Sequence, residues 1–404
     1  MSTEEILKAL SLEKIEADVR SYYKVEGSFG KNVRVEKIGS GQGFVSEVLL
    51  FYPDWTEEGK VPEYFAIKFL SARANGSSKF DEVLVSSEPS GAEILRAKLH
   101  NTEVEVLKWL SKCSDLPVTK IISANEMVAG KGPGYFLMKH IKGSPNLHMC
   151  DNISESALNQ VMRTLAKIQV IGMDVPEEVV AQNSRDYFNS IAKIIYEDKT
   201  VENFCRMLEK TASPIWPEST SELIKRFKPI APNFLRFSDD VGSSLKMKKV
   251  LCHGDVWMCN MLWNAEDAAS WKLEALIDFQ AAHFGCPGID LVRLFCGVLS
   301  GEERRARANE YIERFYEFLR EELGDDSRLP YSLEQLRESY HRQFALAAFI
   351  VCGSIAVVGE MIVEKSDDPK VAKEVLFEKQ KCLIEDIVKE MDRSLTIMHS
   401  EQKQ

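Results

Sequence analysis

The chain lacks the signatures of several common protein classes. Its 404 residues carry 51 Lys and Arg against 62 Asp and Glu, a net charge of -11. It therefore has no excess of positive charge with which to follow a nucleic-acid backbone, although a local basic pocket for a small anion stays open. The nine cysteines include no C-x-x-C pair. The cysteine pattern predicts reduced thiols rather than a disulfide framework. The charge balance predicts no nucleic-acid partner.

Signals for export and for membrane insertion are also missing. The first stretch, MSTEEILKALSLEKIEADV, is acidic and amphipathic, without the basic and apolar regions of a signal peptide. No apolar run reaches the roughly 18 residues that a membrane span requires. The nearest, Phe344 to Val363, contains glycines and a glutamate and predicts a buried core helix. We therefore expect a cytoplasmic protein with no membrane partner, and no obligate protein partner is evident.

Two regions of different character follow each other along the chain. Alternation of apolar and polar side chains with period two predicts a half-buried strand over VRVEKIG. Further strands are predicted over FVSEVLLFY, YFAIKFL, KIISANEMV and GYFLMKHI. A helical stretch, LHNTEVEVLKWLSKC, separates the third strand from the fourth. From about residue 142 onward helical spacing dominates, as in SESALNQVMRTLAKIQVIGM. The prediction is an α+β fold: a small antiparallel β-rich N-terminal lobe over 1–141 and a large, mainly helical C-terminal lobe over 142–404.

A glycine-rich turn, SGQG, joins the first two predicted strands. Gly41, Gln42 and Gly43 would let backbone N–H groups approach phosphate oxygens without interference from Cβ atoms. A purely structural hairpin turn has the same composition, so both interpretations stay open here. No Gly-Lys-Ser/Thr follows, as a Walker loop requires, and a strand rather than a helix comes next, unlike the dinucleotide-binding fingerprint.

A lysine stands inside the apolar third strand. Two orientations are open for Lys68: outward into solvent, or toward the phosphates of a nucleotide held under the glycine turn. The second requires a carboxylate to orient the ammonium group. The next helix offers Glu103, which we favour, and Glu105. The order of glycine turn, strand lysine and helix glutamate indicates a nucleotide site more specifically than any one of its parts.

Two acids and an amide follow apolar runs in the second region, in KVLCHGDVWMCNMLW and LEALIDFQ. Phosphoryl transfer needs a carboxylate to position the attacking group and Mg²⁺ to neutralise phosphate oxygens, and Mg²⁺ prefers oxygen ligands. Asp255 is the candidate for orienting an acceptor hydroxyl, and Asn260 and Asp278 are candidates for holding metal. The alternative makes the two aspartates turn residues and Asn260 a local cap. The nucleotide-binding half upstream favours catalysis.

Neighbouring residues receive supporting roles. We predict that His253 braces the loop by hydrogen bonding rather than acting as a base. Asp290 precedes an apolar helical run, which predicts an N-cap. The spacing of Cys259, His283 and Cys286 matches no zinc pattern.

The stretch HGDVWMCNMLW, followed by LIDFQAAHFGCPGIDLVRLF, closely resembles the ecdysteroid kinase-like (CHK kinase-like) family, including its nematode-type branch. That family sits within the aminoglycoside phosphotransferase and choline kinase group. The resemblance covers nearly the whole chain, since HNTEVEVLKWL, GYFLMKHIKG and the helical tail come in the expected order. It implies a bilobal protein-kinase-like fold. It also implies ATP- and Mg²⁺-dependent transfer of phosphate to a hydroxyl of a small molecule, such as a steroid-like or other lipophilic metabolite.

The resemblance also implies residue roles in the nucleotide-binding half. Lys68 would contact the nucleotide phosphates and pair with Glu103. Lys139 and Ile141, in the MKHI linker, would contact adenine through their backbone.

In the other half, Asp255 would be the catalytic aspartate, and Asn260 and Asp278 the magnesium ligands. The chain departs from protein kinases in having Phe-Gln after Asp278 and no A-P-E segment, which disfavours a protein substrate. Gln169 replaces a histidine of many relatives, and Met258 and Cys259 occupy loop positions that are often small or polar. A catalytically weak kinase-like binding protein is the alternative.

Overall fold

The computed structural model describes residues 2–38, 47–57, 59–70, 89–145, 147–179, 198–264 and 271–401. Within these ranges it has nine short strands, all but the last four before residue 139, and long helices that dominate the remainder. The α+β class expected from the sequence is confirmed. The strands are β1 Arg34–Lys37, β2 Glu47–Tyr52, β3 Phe65–Leu70, β4 Ile121–Asn125, β5 Gly134–Met138, β6 Val250–Cys252, β7 Met261–Asn264, β8 Lys272–Leu276 and β9 His283–Gly285.

Two helices precede the first strand, one lies between β3 and β4, and the others follow β5. Three short 3-10 helices are also described, at Met258–Asn260, Phe279–Ala281 and Asp326–Arg328. The described α-helices are α1 Thr3–Ala9, α2 Leu12–Tyr23, α3 Pro89–Leu110, α4 Glu155–Met173, α5 Asp198–Thr211, α6 Pro217–Ser244, α7 Gly288–Val298, α8 Gly301–Leu323, α9 Leu333–Lys365 and α10 Pro369–Glu401.

The chain divides into two compact units. The first comprises the described residues within Met1–Glu82, Ser86–Ser144 and Glu274–Gln280, and the second those within Pro145–Leu273 and Ala281–Gln404. The segment Glu274–Gln280, which carries Asp278, thus groups with the N-terminal residues although it follows them by more than a hundred positions. The sequence-based boundary at 141/142 stays a prediction.

A five-stranded antiparallel sheet forms the centre of the first unit, in the order β1-β2-β3-β5-β4. All residues of β3 are buried, because β2 and β5 flank it on both sides. The apolar side chains of Ile67 and Phe69 join Ile15 and Val19 of α2 in one core. Lys68 lies between these two residues and so points to the opposite face of the strand, opposite Phe136 of β5.

The second unit is built around α7 and α9. Every residue of α7 is buried, and a Cβ atom at Gly288 would come within 2.6 Å of the Ser339 backbone on α9. Glycine therefore allows the two helices to approach closely. The helical stretch Asp326–Lys365 is long and apolar enough to cross a membrane, but 78% of its apolar window is buried in the fold. The core-helix prediction for this stretch agrees with that burial.

Candidate active site

Three charged side chains of the first unit form a cluster in which Lys68 and Glu103 are buried. The Lys68 Nζ atom donates to Glu103 Oε2 at 2.6 Å and to Asp278 Oδ1 at 2.8 Å. Lys68 and Glu103 are only 6% and 2% exposed, so the solvent-facing orientation of the lysine is excluded. The favoured glutamate is the one that pairs, whereas Glu105 is exposed.

The cluster is electrostatically coupled. Burial by itself would lower the pKa of Lys68, but the nearby Asp278 and Glu103 carboxylates outweigh it and hold that pKa above its usual range. Burial raises the pKa of Glu103, against the opposing effect of Lys68. The backbone of Phe279 also hydrogen-bonds Glu103. The glutamate therefore contacts both the lysine and the chain directly after Asp278.

Asp278 has an unusual backbone conformation. Its φ of 67° lies in the left-handed region, which is uncommon for non-glycine residues and clusters at functional sites. The segment before it is fixed by a hydrogen bond from the Leu276 N–H to the Pro117 carbonyl (2.8 Å) and a parallel bridge between Leu276 and Val118. The Asp278 side chain stays 27% exposed, so its carboxylate is accessible to a ligand.

Helix α3, which carries Glu103, is attached to the sheet by two neighbouring side chains. The Asn101 amide donates to the Met127 carbonyl (3.0 Å) and accepts from the Met127 N–H (2.9 Å). The His100 Nε2 atom lies 2.9 Å from the carbonyl oxygen of Asn125. These contacts lie within one turn of Glu103 and so fix the position from which it reaches Lys68.

In the second unit, the loop after β6 is held by Asp290. The two Asp290 carboxylate oxygens accept from the backbone N–H groups of His253 (2.8 Å) and Gly254 (2.7 Å). The N-cap prediction for Asp290 is wrong, since Pro287 occupies the N-cap and Asp290 lies in the first turn of α7. Its carboxylate instead accepts hydrogen bonds from the backbone of the loop after β6. His253 makes the bracing contact expected of it by accepting from the Asp255 N–H at Nδ1 (3.3 Å).

Gly254 is required by the shape of this loop. Its φ is +81°, and a Cβ atom there would lie 2.1 Å from the Ala281 carbonyl oxygen. No side chain fits such an approach, and an L-residue would be strained at that φ. The His-Gly-Asp order therefore has a steric reason at its middle position.

The Asp255 carboxylate is hydrogen-bonded on both oxygens. Arg293 of α7 donates to Oδ1, and Asn260 Nδ2 donates to Oδ2 (3.2 Å) and to the Asp255 carbonyl (2.8 Å). The Asn260 amide nitrogen thus faces Asp255, which leaves the amide oxygen as the atom suited to a cation. Sequence reasoning missed Arg293. Its signal was a second charge, three residues after Asp290, in an otherwise apolar helix.

The two unusual loop residues have packing roles. Met258 is fully buried. The Cys259 Sγ atom lies 3.2 Å from both the Leu147 carbonyl oxygen and the His148 Nδ1 atom. Burial raises the pKa of Cys259 to about 12, so the thiol is protonated and unreactive. Both side chains therefore attach the loop to its own unit.

Gln169, which replaces a histidine of many members of the resembled family, also has a packing role. Its side chain is 1% exposed, and its Oε1 atom accepts a hydrogen bond from the Tyr331 hydroxyl. The amide satisfies a buried phenol, which identifies a structural role within α4.

Some sequence-predicted residues are not brought to either cluster. Gly41, Gln42 and Gly43 lie outside the described residues. Lys139 is exposed and Ile141 half-buried, directly after β5. The adenine contact assigned to them stays a prediction.

Comparison with known families finds one model that matches residues 6–395, described as DUF1679: Uncharacterized oxidoreductase dhs-27. Two Caenorhabditis elegans proteins are similar. The "Uncharacterized kinase-like protein D1044.1" is 27% identical over 54% of this chain and 54% of that protein. The "Uncharacterized oxidoreductase dhs-27" is 22% identical over 85% of this chain and 41% of that protein. The matches thus span about half the length of these relatives or less.

Among solved structures, the GDP complex of wild-type aminoglycoside 2'-phosphotransferase-IIIa is similar. It covers 92% of this chain and 99% of its own, with 14% identity and a TM-score of 0.44.

Proposed function

The chain belongs to the DUF1679 family, and we propose that it is an ATP- and Mg²⁺-dependent phosphotransferase that moves the γ-phosphate to a hydroxyl of a small molecule. The observation that carries this proposal is the Lys68–Glu103–Asp278 cluster. A lysine that served stability alone would gain little from burial between two acids. An ammonium group oriented in this way suits the phosphates of a nucleotide.

The proposed role of Asp255 is to orient the acceptor hydroxyl and to accept its proton. Two hydrogen bonds, from Arg293 and Asn260, restrict its carboxylate. Preorganisation of this kind lowers the barrier, because little reorientation is needed at the moment of reaction. Lys68 would stabilise negative charge on the phosphates during transfer.

The residues proposed for magnesium fit its chemistry. Asp278 offers a partly exposed carboxylate, and Asn260 offers the amide oxygen that its hydrogen bonds to Asp255 leave available. Both are hard oxygen ligands of the kind Mg²⁺ takes together with substrate phosphates and water. When bound, the ion would neutralise charge on the phosphate oxygens.

The acceptor is proposed at the level of a class. The resemblance implies a hydroxylated lipophilic metabolite, such as a steroid-like compound. A cytoplasmic site of action is proposed from the cysteine pattern, which favours reduced thiols. A screen of metabolite extracts with labelled ATP, searching for a newly phosphorylated species, would identify the acceptor directly.

Asp255→Asn tests the catalytic assignment. The amide keeps the size of the side chain but cannot accept the proton, so turnover should fall about 1,000-fold while the affinity for Mg·ATP stays close to wild type. ADP formation and calorimetry measure the two quantities. Undiminished turnover would overturn the assignment.

Asp278→Ala tests the metal site. Loss of the carboxylate should weaken Mg·ATP binding itself, by about tenfold or more. Asp54→Ala is the matched control, because Asp54 shares the left-handed backbone (φ 48°) and its carboxylate accepts from the Asn32 N–H. Equal affinities in wild type and Asp278→Ala would show that the metal site is elsewhere.

A second function is favoured by one observation. Both Asp255 oxygens already accept hydrogen bonds, as they would in a kinase-like binding protein that holds a metabolite without transferring phosphate. Mg²⁺-dependent thermal stabilisation by ATP, with no phosphorylated product in the extract screen and no ATP hydrolysis, would support that alternative.

A further inference from the structure

We propose that Arg293 is a positioning residue for phosphoryl transfer, which holds the Asp255 carboxylate in the orientation that receives the acceptor hydroxyl. This inference rests on the proposed function. It concerns a residue for which neither the sequence patterns nor the comparisons indicate a role.

Helix α7 contacts the loop after β6 through two charged side chains. Asp290 and Arg293 are three residues apart and lie on the same face of the helix. Asp290 binds the backbone N–H groups of His253 and Gly254, and Arg293 binds the next side chain, that of Asp255. One helical turn therefore contacts three consecutive loop residues. Asp290 fixes the backbone, and Arg293 fixes the side chain that would react.

Helix α7 gives Arg293 a rigid support. All of α7 is buried, and Gly288 packs directly on the backbone of α9. A guanidinium group that starts from a fixed helix has few alternative positions. Its hydrogen bond to Oδ1 and that of Asn260 to Oδ2 (3.2 Å) together restrict rotation of the Asp255 carboxylate. Each oxygen retains a further lone pair for the acceptor.

Among the described residues, the guanidinium group of Arg293 does not use all of its donors. Arg293 is 8% exposed, and its Nε atom is buried with no hydrogen-bond partner within the described ranges. A buried arginine that served stability would be expected to use its donors. Asp290 could become the main partner of Arg293 only by losing its hydrogen bonds from the backbone N–H groups of His253 and Gly254. The geometry therefore commits the guanidinium to Asp255.

The experiment compares Arg293→Met, Arg293→Lys and Asp255→Asn with the wild type, using Mg·ATP as the probe. ADP formation gives kcat and KM, and calorimetry gives nucleotide affinity. Arg304→Met is the matched control, because Arg304 is another buried arginine of this unit, 4% exposed and paired with Asp386 at 2.7 Å. It reports the effect of losing a buried arginine–aspartate pair away from the loop.

Arg293→Met should lower kcat about 100-fold and leave KM for ATP within about threefold. Arg293→Lys should have a kcat about tenfold higher than Arg293→Met, because lysine restores the positive charge but not the planar guanidinium geometry. The control should lose thermal stability while keeping kcat. Arg293→Met added to Asp255→Asn should cause no further loss, since the arginine would act only through the aspartate.

Several results would overturn the inference. One is wild-type kcat in Arg293→Met, and another is an equal kcat loss in Arg304→Met. A further full loss when Arg293→Met is added to Asp255→Asn would also contradict it. If Arg293→Met does not fold, Arg293→Lys decides, and wild-type kcat in that variant contradicts the proposal. A wild type that neither binds nor turns over Mg·ATP would instead refute the proposed function itself.

Discussion

The two units stabilise their functional residues in different ways. In the first, Lys68, Glu103 and Asp278 bind one another directly, charge to charge. In the second, the loop around Asp255 is positioned mainly through its backbone, by the Asp290 carboxylate and by a glycine that admits the Ala281 carbonyl. The first cluster depends on the presence of three side chains. The second depends on the path of the main chain.

This difference determines which substitutions each region tolerates. Removing one member of a buried charge cluster leaves the others without compensation, a cost of several kcal/mol. Changing a side chain in a backbone-held loop costs little unless it alters the loop's path. We therefore expect large losses of stability in the first unit, and losses of activity with smaller losses of stability in the second.

The largest effect is expected for Lys68→Met. Glu103, 2% exposed, would lose its cation, so the free energy of unfolding should fall by about 3–5 kcal/mol and Mg·ATP binding should be lost. Urea unfolding and calorimetry measure these changes. Lys14→Met removes the exposed pair with Asp18 on α2 and should change stability by less than about 1 kcal/mol. Equal effects of the two substitutions would show that the cluster around Lys68 contributes no more to stability than an exposed ion pair of the same unit.

Gly254→Ala should affect activity more than stability. The added Cβ atom cannot lie 2.1 Å from the Ala281 carbonyl oxygen, so the loop must move and displace Asp255. We expect turnover to fall about 100-fold with Mg·ATP affinity retained. Gly324→Ala separates backbone strain from the clash, because Gly324 has a φ of +66° with nothing within 4 Å. It should cost about 1 kcal/mol and leave turnover unchanged.

Residue chemistry and order predicted one pair of the first cluster, Lys68 with Glu103. A lysine that turns inward from an apolar strand needs a counterion, and the next helix offered Glu103. The contact of Lys68 with Asp278 was not predicted. Most described strands and helices likewise follow the patterns of the sequence to within a few residues at their ends, but α3 begins at Pro89, ten residues before the predicted stretch LHNTEVEVLKWLSKC.

Contacts between residues far apart in the chain could not be predicted in the same way. Asp290 was predicted to cap its own helix, since an acid before an apolar run is a local signal. Its actual partners lie 36 and 37 residues away. The contact of Arg293 with Asp255 likewise depends on how α7 packs, which no spacing in the sequence encodes.

The smallest effect expected is on the pH dependence of stability, through His100 beside Glu103. Burial lowers the pKa of His100 to about 4. Its Nε2–H donates to the Asn125 carbonyl, and its buried Nδ1 has no hydrogen-bond partner among the described residues. Protonation would place a second N–H where no acceptor is found. The imidazole therefore stays neutral in the folded protein at pH values where it is charged in the unfolded chain.

Because this pKa is lower in the folded state, the unfolded state binds more protons below about pH 6.5, and stability falls as the pH drops toward 4. Between pH 7 and pH 5 the contribution of His100 should be about 2 kcal/mol. His100→Gln keeps an N–H donor but cannot titrate, so its urea-unfolding free energy should fall less over that interval. Parallel losses in wild type and variant would show that His100 titrates normally. The contact of His100 that attaches α3 near Glu103 would then contribute no pH dependence to stability. In this respect it would resemble the backbone contacts of the loop after β6.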